Sequence, residues 1–407
     1  MTAEADLAQP LSLYLHVPFC AVHCPYCDFA IHIGAEDLHR PYIEAVIREL
    51  RLLAAGGAER HPLDTVYLGG GTPSLLDRQL LEDLLSAVRE AFAIAPDGEI
   101  TIEANPTDLT DEQARGWLAL GINRVSLGVQ SLDDRSLRWL GRNHDRSQAL
   151  AAIEVLQGAG LENLSCDLIY AIPEQSTEVF AAGIRALASY SPAHVSCYEL
   201  TVEAGTPLAW SVAQGRAKAP RERDFLEQHR LARGVLEGAG LLQYEVSNYA
   251  RPGRESRHNL GYWQGRHYLA AGCGAHGFVS PGMAGGWGIE TTPSAVGVRY
   301  WNLRNASTYI KQVGALGHGR RGQEEIDEAQ REAERLACGL RLRDGVELSQ
   351  PQQLATAEDL VRLGLLTLSG SRAIATTSGI EVLDRVTLEL LGPVPVPYPV
   401  SSLPGSN

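Results

Sequence analysis

The stretch Tyr14-Leu15-His16-Val17-Pro18-Phe19-Cys20-Ala21-Val22-His23-Cys24-Pro25-Tyr26-Cys27-Asp28-Phe29 decides how the rest of the chain is read. It begins inside an apolar, β-rich run, Ser12–Val17, and passes directly into Cys20, Cys24 and Cys27. Three thiols within eight residues, out of seven cysteines in 407 residues, suit a reducing compartment and a metal site rather than a disulfide framework. Because they follow a strand, they sit at its C-terminal end, where parallel α/β sheets and barrels build their sites. Spacings of four and three let a tight loop aim three thiolates inward, as a cubane [4Fe–4S] cluster requires. Three ligands for four irons leave one iron open to an amino acid's amine and carboxylate. The competing reading is zinc, with His16, His23 or His32 as fourth ligand. Zinc sites usually come as two ligand pairs, and no second CxxC is present.

Outward from this loop, strand-like runs alternate with amphipathic stretches. The strand candidates are Ser12–Val17, Thr65–Leu68, Glu99–Glu103, Arg124–Val129, Leu164–Ile169 and His194–Glu199. Tyr42–Leu53, Leu80–Phe92, Asp111–Leu120 and Ser147–Gln157 read as the helices between them. Alternation of this kind predicts a parallel α/β sheet with right-handed crossovers, and its length suits a partial (β/α)6 barrel better than a closed eight-stranded one. Beyond Pro207 the pattern changes. Arg221–Glu237 reads as a helix, Tyr244–Gly288 as a segment rich in Gly, Asn and aromatics, and Asp327–Leu340 as a further helix. Leu354–Leu363 and Leu365–Ile374 resemble a small helical domain with a β-wing. The expected organisation is a barrel with its extension over residues 1–300, a small winged-helix-like domain over 301–391, and a disordered Pro-, Ser- and Gly-rich tail over 392–407.

Hydrophobic residues make up 44% and charged residues 21%, ordinary values for a globular protein. A formal charge of −14, with basic residues interspersed among acidic ones, argues against a nucleic-acid partner. Met1–Pro10 lacks the basic and apolar regions of a secretory signal, and no apolar run approaches the roughly 20 residues that span a bilayer, so the expected location is the cytoplasm.

Several residues outside the cysteine loop stand where a cofactor would be held. Gly69-Gly70-Gly71-Thr72-Pro73 follows the second strand, where bare backbone can approach a ligand; it is also what a tight strand-to-helix turn needs. Glu103 ends the third strand, placed to accept hydrogen bonds from ribose hydroxyls. Gln130, Arg142 and Asp167 follow at or beyond later strands, and each alone reads equally as an ordinary polar residue. The lone Cys166, Cys197, Cys273 and Cys338 read as small core residues. Gly272-Cys273-Gly274-Ala275-His276-Gly277 is either a flap over the barrel mouth or a turn. His258-Asn259-Leu260-Gly261-Tyr262-Trp263 offers an imidazole beside rings that stack on porphyrins, yet a His among aromatics is more often a packed residue.

CxxxCxxC after a first strand resembles the radical S-adenosylmethionine (SAM) superfamily. The flanks YLHVPFC and YCDF resemble its coproporphyrinogen-oxidase-like branch over nearly the whole chain except the tail. That resemblance implies a [4Fe–4S] cluster on Cys20, Cys24 and Cys27, with SAM held by Tyr14, Tyr26, Gly70, Gly71, Thr72 and Glu103. Gln130, Arg142 and Asp167 match residues that contact a second SAM in the oxidases. Two activities occur in this branch: oxygen-independent coproporphyrinogen III oxidation, and haem chaperones that deliver haem to respiratory haem proteins. The oxidases place a further cysteine where this chain has Phe29, and they carry a longer N-terminal extension. HNxxYW, in contrast, matches the chaperones, making His258 the expected haem ligand, with Arg251, Arg254, Arg257 and Arg266 as candidates for its propionates. The expectation is therefore a haem chaperone without oxidase activity, partnered by haem, recipient respiratory haem proteins and an electron donor. A homodimer is among the assemblies it allows. A third class, a binding module whose cluster is a relic, is opposed by the intact glycine and Glu103 motifs.

Overall fold

A computed structural model describes residues 11–58, 61–107 and 109–392; of the expected tail, only Gly392 lies within them. Six strands build the parallel core: β1 (Leu11–Val17), β2 (Leu63–Gly70), β3 (Ile94–Ala104), β4 (Arg124–Gln130), β5 (Asn163–Tyr170) and β6 (His194–Glu199), each pairing in parallel with the next. Helices α1 (His39–Ala55), α2 (Arg78–Ala91), α3 (Asp111–Ala119), α4 (Arg146–Gly158) and α5 (Thr177–Ser189) supply the crossovers. Capping fixes where several of them start: Thr110 with Gln113 and Asp145 with Gln148 form capping boxes, and Asp77 accepts from the Leu80 N–H.

The six strands alternate in chemistry as well as direction. On β1, Leu11, Leu13, Leu15 and Val17 are buried in the apolar core, whereas Ser12, Tyr14 and His16 take the opposite face. Registers carry that opposite face across the sheet: Tyr14 pairs with Tyr67, Glu103 with Ser126, and Asp167 with Ser196. The outer face is thus an ordinary core, Cys166 and Cys197 included, and the concave face is a polar lumen. This is the partial (β/α)6 barrel that the alternation predicts.

The sheet continues where the sequence offered only a Gly- and aromatic-rich segment. Beyond β6 and helix α6 (Glu222–Gly238), β7 (Leu242–Gln243) and β8 (Asn248–Ala250) extend one edge antiparallel. After α7 (Arg257–Trp263), β9 (Tyr268–Ala271) returns across the barrel to pair in parallel with β1. Antiparallel β10 (His276–Val279), β11 (Gly297–Asn302) and β12 (Arg320–Ile326) follow, with α8 (Ala306–Leu316) between the last two. The twelve strands run β12-β11-β10-β9-β1-β2-β3-β4-β5-β6-β8-β7.

A second core forms from α9 (Glu328–Arg341), β13 (Val346–Glu347), α10 (Pro351–Arg362), the hairpin β14 (Leu366–Ser369) and β15 (Arg372–Ala375), and α11 (Leu383–Leu391), centred on Leu336, Leu340, Leu360, Leu366 and Val386. Helices with a small antiparallel wing make it winged-helix-like. The first core takes in Tyr309 and Val313, and the sheet runs to Ile326. Among the described residues, no helix is long and apolar enough to cross a membrane.

Candidate functional site

The cysteine loop leaves the C-terminal end of β1 and is held there by its neighbours. Phe19–Cys20 pairs with His32–Ile33, closing the loop at its base, and the Cys27 N–H donates to the Cys24 carbonyl at 3.1 Å. Residues from three other strand ends reach the thiols. Thr72 Oγ1, after β2, lies 3.5 Å from Cys20 Sγ and accepts from Asn105 Nδ2, after β3, at 3.1 Å. Arg142, beyond β4, places Nη1 3.5 Å from Cys24 Sγ and donates through Nη2 to Asn105 Oδ1. Arg142 is thus a charged group beside the thiols rather than a surface residue. Burial raises the Cys20 thiol and pushes Cys27 up to about 11, so the bare loop holds thiols until iron takes the proton's place.

The glycine run works by steric necessity. A Cβ on Gly71 would sit 2.7 Å from the Pro18 carbonyl carbon and 2.8 Å from the Val17 and Phe19 oxygens; on Gly69 it would sit 2.9 Å from Glu103 Oε1. The N–H groups of Gly70, Gly71 and Thr72 already donate, to Glu103 Oε2 (2.9 Å), Val17 O (2.8 Å) and Phe19 O (2.7 Å). What this loop has to offer is carbonyl oxygen, which suits an incoming ammonium. Glu103 is tied to the glycine run on one oxygen and accepts from Tyr67 OH at 2.8 Å on the other, leaving two of its roughly four lone-pair directions for hydroxyls. Burial, with Asp167 nearby, pushes its carboxyl up to about 7. Tyr14 stacks on Tyr67 at 6.1 Å and meets His16 Nδ1 at 3.0 Å. Tyr26 packs against Leu140 and Leu208, with Arg142 and Cys24 beside its hydroxyl.

The remaining candidates divide. Gln130 closes β4 at a positive φ of 60°, and its amide, Asn105 and Arg142 all surround Gly128. Asp167 lies deeper in the lumen, where Ser126 Oγ donates to it at 2.9 Å, and burial raises its carboxyl. His258 stands apart from the cysteine loop. It is 1% exposed, stacks on Tyr67 at 4.9 Å, and has both nitrogens engaged: Nδ1 with Thr65 Oγ1 at 2.6 Å and Nε2 with Tyr262 OH at 2.8 Å. Burial beside Arg124 drives its pKa down to about 3. As folded, both ring nitrogens are engaged within the protein. The basic set around it is likewise committed: Arg257 and Arg266 to Asp64, Arg254 to Glu162, and Arg251 to the Pro192 carbonyl. These arginines fasten α7 to the N-terminal end of the barrel, opposite the cysteines.

Sequence reasoning missed Asn105 and Tyr67. The alternation Thr65, Tyr67, Gly69 along β2 was the available signal for Tyr67, and Asn105 stands just past Glu103 in Glu103-Ala104-Asn105-Pro106. The segment 272–277 does pack on the cysteine loop: a Cβ on Gly274 would meet Ala30 Cβ at 2.6 Å, and Arg304 donates to the Asp28 carbonyl. The donor set fits a cubane. Three thiols share one loop, and each can serve a different iron.

Comparison with known proteins places this geometry. Residues 14–187 match the radical SAM superfamily model. The chain is 37% identical to the haem chaperone HemW of Mycobacterium tuberculosis, over 94% of this chain and 95% of that one. It is 35% identical to the mitochondrial radical S-adenosyl methionine domain-containing protein 1 of Bos taurus, over 96% and 89%. Among solved structures, coproporphyrinogen III oxidase (HemN) of Escherichia coli, a radical SAM enzyme, superposes with a TM-score of 0.76 at 19% identity, covering 95% of this chain and 92% of that one.

Proposed function

The chain belongs to the HemW family of the radical SAM superfamily, and from that premise we propose that it is a haem chaperone, binding haem and a SAM-coordinating [4Fe–4S] cluster and handing haem to respiratory haem proteins. The observation that carries the reading is the rim of the cysteine loop. Two residues after Cys27 stands Phe29, 51% exposed, where the oxidases carry a further cysteine, and this supports the chaperone over the oxidase.

The residues divide the work. Cys20, Cys24 and Cys27 hold the cluster, with Arg142 and Thr72 supplying donors that favour thiolate sulfur. The carbonyls of the glycine run receive the methionyl ammonium, and Glu103 the ribose hydroxyls. Tyr14, Tyr26, Gln130 and Asp167 complete the lumen wall. A cluster with an open iron, when bound, supplies one electron to the SAM it chelates, and an electron donor must replenish it. The polar lumen shields that site from bulk water. A cytoplasmic setting belongs to the same proposal, and a homodimer is among the assemblies it allows.

The test is an anaerobic haem titration of cluster-reconstituted protein beside a coproporphyrinogen III assay with SAM and reductant. Saturable one-to-one haem binding with no decarboxylation is expected. Decarboxylation of the porphyrinogen would replace the proposal with the oxidase reading.

A further inference from the structure

If the chain carries haem and His258 is closed to it, the iron needs another ligand. His276 is the first residue of β10, exposed, in the segment that packs on the cysteine loop. Its direction follows from the registers. Tyr14 in the lumen pairs with Ala270, Tyr268 with Phe278, and His276 lies two residues from Phe278 on the same strand, hence on the lumen face. Trp301 pairs with His276 across β10–β11, and the rings stack at 6.1 Å with planes 24° apart. Among the described residues, neither nitrogen of His276 has a hydrogen-bond partner. Partial burial, and then the Arg299 and Arg304 charges nearby, lower its pKa, which favours the neutral ring that ligates iron.

The surroundings suit a porphyrin. Arg304 uses one nitrogen on the Asp28 carbonyl, which sets its guanidinium at the rim beside exposed Phe29, an apolar ring next to a cation. The position is also rigid. Gly274 N donates to Leu303 O at 2.8 Å and Asn302 N to Ala275 O at 2.9 Å. Beneath them the buried carboxylate of Glu49 accepts from Gly272 N (3.0 Å), Asn302 Nδ2 (3.1 Å) and Tyr309 OH (2.6 Å). A site so held presents its ligand at low entropic cost.

We propose that His276 is the axial ligand to the haem iron, with Trp301 orienting the ring, Arg304 meeting a propionate and Phe29 covering the porphyrin edge at the barrel mouth. The inference rests on the chaperone reading and assigns its cargo site. Haem held there lies against the loop that carries the cluster, so cluster state and haem release share one segment.

The experiment compares wild type with His276→Ala, both reconstituted and checked for equal iron and sulfide content, by haem titration and ferric absorbance and electron paramagnetic resonance spectra. Because the side chain is exposed and unbonded, the fold is expected to survive. The variant should bind roughly tenfold or more weaker and lose the nitrogen-ligated spectrum, and added imidazole should restore that spectrum. His276→Met should give a sulfur-ligated one. Unchanged affinity and spectrum in both variants would overturn the site while leaving the chaperone reading standing. No saturable haem binding by wild type would overturn both.

Discussion

Glu103 is a carboxyl that burial pushes up to about 7. Burial favours its neutral form, while Tyr67 OH and the Gly70 N–H favour the carboxylate, and the balance lies at about 7. Raised above the ordinary 4.5, it makes folding hold the proton more tightly, so this group costs stability as pH climbs from about 4.5 to about 7. Ligand binding has the opposite sign, because ribose hydroxyls need the carboxylate as acceptor. SAM affinity of the reconstituted protein, measured by equilibrium dialysis, should therefore rise between pH 6 and 8 by several-fold to about tenfold. Glu103→Gln should bind more weakly and lose the rise; a rise that persists in the variant belongs to another group. At this scale spacing pointed to Cys20, Cys24 and Cys27, and the structure places all three on the loop that leaves β1. His258 was legible as a motif, but the partners of its ring nitrogens, Thr65 and Tyr262, were not, one of them lying 193 residues away.

Elements were legible where periodicity is long. The six barrel strands and α1 to α4 follow the alternation of the sequence, though β3 starts five residues before Glu99, and α5 was not among the expected helices. β9 was not: Tyr268-Leu269-Ala270-Ala271 is four residues among glycines, and only pairing with β1 makes it a strand. The glycine run makes an element-scale prediction. Gly71→Ala must displace backbone on three sides, whereas Gly158→Ala, at the end of α4, meets nothing within 4 Å. Thermal unfolding should show Gly71→Ala destabilised by about 1–3 kcal/mol with reduced cluster content on reconstitution. Gly158→Ala should be neutral or stabilised by up to about 1 kcal/mol. Equal behaviour of the two would mean that the loop relaxes freely.

For the whole molecule, Trp263 of HNxxYW lies at the joint between the two cores. The Trp263 ring lies 4.2 Å from the Arg341 guanidinium, and Arg341 pairs at 3.2 Å with Glu245, whose side chain is fully buried. Arg331 donates to the Gly265 carbonyl, and Arg299 of the sheet pairs with Glu334 of α9. Arg341→Met leaves the Glu245 charge buried and should cost roughly 3–5 kcal/mol in urea unfolding. Adding Glu245→Gln should recover much of it; additivity would show that the pair is uncoupled. Composition and charge read the class of the molecule, but no local pattern marks a joint made by residues nearly a hundred apart.

The pairing of β9 with β1 also sets an order of events at the ribosome. β1 is synthesised first, yet one of its edges stays open until residues 268–271 emerge, some 250 residues later. At about 5–20 residues per second that is roughly 10–50 s during which the nascent barrel has an unpaired strand. The cysteines hang from that strand, and the segment that will cover them, 272–277, has yet to be translated. The far edge of β1 is therefore among the last parts of the barrel to close, because its partner lies so late in the chain.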